Sequence, residues 1–198
     1  VLLCGKISHA TEKGTVTSQD GRISWEFEKD ANTKQITKLK CANVSAVSGE
    51  ITVPEKITVD GVEYTVMSLR YDAFQGASLI TKVTIPENIG ILTDDGGLAG
   101  TTIGYDKFFY NCTSLKEVEL PKMSRINTQM FYGCKSLQKV NIPEDVTEIG
   151  KEAFWGCSSL ENITLPNGLK VINDSAFKNC TSLGTINIPD NVTSIGGS

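Results

Sequence analysis

FYGCKSLQKVNIPEDVTEIGKEAF, residues 131–154, is one period of a pattern that runs through most of the chain. Its first half aligns without gaps on FYNCTSLKEVELP from Phe109, FWGCSSLENITLP from Phe154 and FKNCTSLGTINIP from Phe177. FQGASLITKVTIP from Phe74 joins them, with Ala77 at the cysteine position. Pro121, Pro143, Pro166 and Pro189 recur at intervals of 22, 23 and 23 residues. A second half such as EDVTEIGKEAF closes each period at the next phenylalanine. A dozen positions agreeing in phase across several copies mark a repeat architecture and leave little room for another reading.

A period this short is one turn of a coil. Strand alternation sends Leu137, Val140 and Ile142 inward and turns the residue between the last two outward. One coil cannot cover its own apolar face, so stacked neighbours must share a core. The proline falls just after the strand, where it ends the ladder without removing a needed donor. Helical periodicity is missing, so strands, irregular turns and short 3₁₀ or helical pieces are expected.

The pattern A-F-x-x-C-x-S-L-x-x-V-x-I-P-x-x-V-x-x-I resembles the BspA-like leucine-rich repeats, over about three quarters of the chain, from Ile51 to Ile195. The resemblance implies a mainly β, right-handed solenoid. It also implies secreted or surface-anchored proteins of host-associated bacteria, usually described as adhesins or carrying no described activity. The identity of a ligand does not travel with the fold.

Residues 51–198 are accordingly read as the solenoid and 1–50 as an N-terminal β cap. GTVTSQDGRISWEFEKDANTKQITKLKC, from Gly14, reads as strands turning at Asp20-Gly21 and near Asp30-Ala31-Asn32. Trp25 and Phe27 alternate with polar residues, so one face of the cap can close the end of the stack. Residues 1–10 read either as a secretion-signal remnant or as the first cap strand. Cys4 and Cys41 lie outside the repeat and are candidates to pair. The first coil is lengthened by a hairpin at Asp60-Gly61. The next holds an insertion near 90–104, which makes it 35 residues long. There Asp94 and Asp95 sit in a glycine-rich loop. Insertions in solenoids map to loops on one face and often mark a binding surface. The two carboxylates offer calcium oxygen ligands, but they are adjacent and not alternating as in a dedicated calcium loop. The last repeat stops before its closing A-F element. That leaves two expectations: continuation of the protein, or self-association through an uncapped C-terminal end.

Composition removes several functions. The chain has 198 residues, 39% apolar and 21% charged, with a net charge of −4 and no clustered Lys or Arg. A nucleic-acid interface needs a concentrated basic patch. No apolar run approaches the roughly 20 residues of a membrane helix. His9 is the only histidine, so Ser-His-Asp and Cys-His catalysis lack their base. Glu117 and Glu119 face outward together, but an open strand face does not exclude water. No phosphate-binding glycine motif occurs. The chain is read as no enzyme, without cofactor or metal.

Cys112, Cys134, Cys157 and Cys180 form one column. The spacing lacks a C-x-x-C pair and fails as a zinc site. Disulfides between coils are geometrically conceivable, yet Ala77 in the same position points to a structural thiol ladder of small buried side chains. The outward rows are Lys82 and Thr84, Glu117 and Glu119, Lys139 and Asn141, Asn162 and Thr164, and Thr185 and Asn187. They form the candidate ligand face. Tyr110, Tyr132 and Trp155 make a second column, which serves either as an anchor stripe or as packing between neighbours. Asn43, Asn111, Asn162, Asn173, Asn179 and Asn191 head N-x-S/T sequons that arise from turn composition. The functional expectation is an extracellular or cell-surface, adhesin-like module that binds a host protein or matrix component through the concave strand face. A structural spacer of a longer surface protein and a glycan-binding module are the alternatives.

Overall fold

The computed structural model describes residues 11–91 and 107–197. Strands Thr11–Thr17 (β1), Ser24–Asp30 (β2) and Gln35–Cys41 (β3) form an antiparallel meander. Asp30 closes its second turn, its Oδ1 accepting from the backbone N–H of Asn32 and Thr33 at 2.9 and 3.2 Å. The first coil holds Ser48–Thr52 (β4), Lys56–Val59 (β5), Val62–Val66 (β6) and Ser68–Leu69 (β7). Asp60 and Gly61 both have positive φ, 51° and 77°, the backbone a two-residue hairpin requires. Leu79–Thr84 (β8) and Gly90–Ile91 (β9) belong to the second coil. Glu117–Glu119 (β10), Arg125–Ile126 (β11), Lys139–Val140 (β12), Glu148–Ile149 (β13), Val171–Ile172 (β14) and Ser194–Ile195 (β15) follow.

Two parallel ladders run along the stack. One is β4-β8-β10-β12, the other β11-β13-β14-β15. The first places Glu50, Lys82, Glu117 and Lys139 in register, with Ile51, Val83, Val118 and Val140 beside them on the buried face. The second aligns Ile126, Ile149, Ile172 and Ile195. The cap is not a separate layer. β3 pairs in parallel with β6 and β7, and β7 with β9, so cap and first coils share one seven-stranded sheet.

Between the ladders lies the phenylalanine column. Phe74, Phe109, Phe131, Phe154 and Phe177 stack with centroids 5.1–5.7 Å apart and planes within 12° of parallel. The first four are fully buried, and each contributes about 1.5–3 kcal/mol of apolar burial. Trp25 of the cap meets Phe74 edge-on at 6.1 Å, which closes the N-terminal end. Two residues after each phenylalanine the backbone is left-handed: Gly76, Asn111, Gly133, Gly156 and Asn179 all have φ between 58° and 76°. Glycine and asparagine adopt this region at least cost, which explains why only these two occupy the column.

The structure departs from the sequence reading in two places. Among the described residues no 3₁₀ or α-helical segment occurs. The turns instead close by isolated i→i+3 bonds, such as Cys134 N to Phe131 O and Leu137 N to Cys134 O at 3.1 and 3.0 Å. These bonds do not follow one another closely enough to build a helix. Second, ENITL and GTINI, residues 161–165 and 184–188, carry no strand. Asn141 shows one competing interaction: its side chain accepts from Leu120 N–H at 2.6 Å and donates to Leu120 O at 3.4 Å. A side-chain amide here takes up backbone groups that a ladder would use. Beyond it, a single 3.2 Å bond from Gly184 N to Glu161 O joins the last two of these segments.

Candidate functional site

Register decides the chemistry of the outward face of the first ladder. Lys82 Nζ lies 2.9 Å from Glu119 and 3.5 Å from Glu117, and Lys139 Nζ lies 2.8 Å from Glu117. The bond from Lys139, with Lys82 adding its charge, holds the Glu117 carboxyl below the usual carboxylate range. The bond to Glu119, reinforced by Glu117, raises the Lys82 ammonium. Lys82, Glu117, Glu119 and Lys139 therefore satisfy one another across coils. Thr84 stands in register with Glu119. Asn141, Asn162, Thr164, Thr185 and Asn187 continue outward as exposed neutral groups, all five on irregular backbone.

Tyr110, Tyr132 and Trp155 stack in their own column, each half-buried. Centroids are 4.9 and 4.4 Å apart, with planes 7° and 6° from parallel. Lys107 Nζ lies 5.2 Å from the Tyr110 centroid, a cation–π contact. Both faces of Tyr132 are thus occupied by its neighbours, and the stripe presents ring edges to solvent. Burial pushes the Tyr132 hydroxyl up, with Tyr110 and Glu152 adding to the shift.

The cysteine column makes a further contact that the sequence does not reveal. Each thiol donates to the carbonyl of the phenylalanine one coil back: Cys112 to Phe74 O, Cys134 to Phe109 O, Cys157 to Phe131 O and Cys180 to Phe154 O, at 3.0–3.2 Å. Burial pushes Cys112 up to about 12 and raises Cys134 and Cys157 well above the ordinary thiol value. Half-buried Cys180 is lowered by a hydrogen bond with Cys157. Cys41 is a buried free thiol donating to Asn43 Oδ1. Its proposed partner Cys4 lies outside the described residues, as do His9, Asp94, Asp95 and most of the insertion.

Several polar groups gained no notice in the sequence. Arg125 pairs with Glu148, which also accepts from Asn173 Nδ2 at 2.7 Å. At the cap, Asp72 accepts from Lys40 and Arg70 at 2.8 and 2.9 Å. Lys29 is buried between Tyr64 and Glu12. Apart from Arg70–Asp72, two residues apart, these pairs join residues 17 or more apart in the chain, so no local pattern announces them. Among the described residues no cluster of three metal-ligating side chains occurs. No helix there is long and apolar enough to cross a membrane.

The pattern of the BspA type leucine rich repeat region matches residues 101–198 in six copies. No curated protein matches the chain. Among solved structures, a leucine-rich repeat protein of Treponema pallidum superposes with a TM-score of 0.61 at 22% identity, over 93% of this chain and 78% of that one. A leucine-rich cell surface protein of Faecalibacterium prausnitzii A2-165 gives 0.57 at 26% identity, over 93% and 51%. A leucine-rich repeat protein of Eubacterium ventriosum gives 0.58 at 26%, over 90% and 49%. The chain spans about half the length of the latter two. Stacked coils in register, a buried phenylalanine column and this match agree: the chain belongs to the BspA-type leucine-rich repeat proteins.

Proposed function

We propose that this chain is an extracellular, cell-surface binding module of the adhesin kind. It recognises a host protein or matrix component through the outward face of the first ladder and the row that extends it. The observation that carries this reading is the single file of outward groups. Glu50, Lys82, Glu117 and Lys139 stand in register, and neutral Asn and Thr residues prolong the row. Charges already paired within the chain exert little long-range pull, so recognition here rests on hydrogen bonds across an extended polar surface and not on steering. The cell-surface description of the F. prausnitzii relative supports the location. Glycan stacking on the aromatic column is disfavoured, because the inner ring faces are already covered.

The test is a binding screen of the purified chain against matrix proteins and a glycan array, beside a variant carrying Glu117→Lys, Lys139→Glu and a shortened 94–100 loop. A protein hit lost in the correctly folded variant supports the reading. A hit that survives moves the site elsewhere, and silence against every probe favours a spacer, a reading that suits the mutual pairing of the ladder charges.

A further inference from the structure

A groove of about 540 Å³ lies where the cap hairpin meets the first coil. Its floor is apolar: Ile23, Trp25 and Ile57 are all buried. Two of its walls are strand edges. β4 and β5 each end their sheet, so each has one side that no strand covers among the described residues. Hydrogen-bond phase shows which residues face that side. Val53 N donates to Thr84 O at 3.0 Å, so Val53 and Ile51 bond toward β8. Glu50 and Thr52 must then aim their N–H and C=O the other way. In the hairpin, Val66 N donates to Glu55 O at 2.8 Å and the loop has two residues, which makes Ile57 and Val59 the bonded positions. Lys56 and Thr58 therefore face outward. All four outward residues line the groove.

A row of backbone donors and acceptors beside an apolar floor suits an extended chain, which supplies the complementary row and alternate side chains. The rim adds a charge preference. Arg22 is paired with Asp20 and Lys56 with Glu63, both at 2.7 Å. Glu50 has no ion-pair partner among the described residues, since the nearby Lys82 is held by Glu117 and Glu119.

We propose that this groove is a strand-addition site for an extended peptide of a partner protein. The peptide pairs its backbone with the free edge of β4 or β5, points apolar side chains at Ile23, Trp25 and Ile57, and sets a Lys or Arg beside Glu50. The site uses the free strand edge and shares only Glu50 with the outward row, so Lys139→Glu, which touches that row alone, tells the two sites apart.

The probe is a random linear octapeptide library displayed on phage and selected on the full 198-residue chain. The selected peptide is then synthesised, with and without N-methylation of alternate amides. Enriched sequences are expected to alternate apolar residues with Lys or Arg. Glu50→Lys and N-methylation should each weaken binding at least about tenfold, while Lys139→Glu, on the outward face, leaves it unchanged. Bound peptide should slow hydrogen exchange at the amides of Glu50 and Thr52, or of Lys56 and Thr58. The proposal is overturned by a library that enriches nothing, by binding indifferent to Glu50→Lys and N-methylation, or by protection confined to other amides. Self-association of the chain that Glu50→Lys abolishes would put a second copy in the groove and also overturn it.

Discussion

Tyr132 and Trp155 lie face to face, 4.4 Å between centroids and 6° from parallel, although 23 residues separate them in the chain. Tyr132 meets Tyr110 on its other face. Aromatic pairs contribute about 0.5–1.5 kcal/mol each beyond area burial. Tyr132→Gln, a residue tolerated at the same position as Gln75, should cost about 1–2 kcal/mol, and Tyr132→Ala more. Urea denaturation measures both. A Tyr132→Gln variant as stable as the parent would reduce the stack to surface decoration.

The buried thiols predict a pH dependence. Cys112 is pushed from an ordinary 9.0 up to about 12. Between these values the unfolded chain has released a proton that the folded chain keeps, so stability falls as pH rises through that window. The slope is about 1.4 kcal/mol per pH unit for one such thiol. Replacing Cys112 with Ala should remove that increment from the pH 9–11 stability profile. In the same range, alkylation mapped by mass spectrometry should label Cys180 well before Cys112, Cys134 or Cys157, because the thiolate is the nucleophile.

Glycine matters at Gly150 for space and at Gly156 for backbone shape. A Cβ on Gly150 would fall 2.6 Å from Thr128 N and 2.7 Å from Asn127 C, backbone atoms of the previous coil. Gly150→Ala should cost about 1–3 kcal/mol, a penalty of overpacking. A Cβ on Gly156 would make only an ordinary contact, 3.9 Å from Gly133 Cα, but the φ there is 74°. There Asn, as at Asn111 and Asn179, should cost under about 1 kcal/mol and Val about 2 kcal/mol or more. Equal losses for Asn and Val would refute the backbone argument.

The charge file on the first ladder predicts small effects on folding. Lys139 is 75% exposed, and Lys139→Ala should move Tm by no more than about 2 °C. Glu117 has a depressed carboxyl, so its stabilisation is present above the ordinary value of 4.5 and is lost as pH falls below it. The stability difference between the parent and Glu117→Gln should therefore shrink from pH 7 to pH 3. A constant difference would mean that shape and not charge sets the effect.

The sequence made the inward positions legible. Leu137, Val140 and Ile142 are buried as their alternation required. The same pattern misjudged ENITL and GTINI, because alternation reports which residues face inward and not whether neighbouring backbones bond. Asn141 exemplifies the difference, since its amide enters the backbone network of the coil before it. The candidate face was readable as rows of outward residues, but not as paired charges: pairing depends on Lys82 arriving opposite Glu117 and Glu119.

What the sequence determined by itself was the coil: its period, its apolar positions and its small-residue column. All of these are local, set by steric limits on a few consecutive residues and repeated until the register is unmistakable. The second ladder, the merging of cap and coils into one sheet, the covering of Tyr132 by its neighbours and the open edges of β4 and β5 were decided only in three dimensions. Each depends on residues roughly a coil or more apart meeting side by side, and on which backbone groups remain unpaired once they have met.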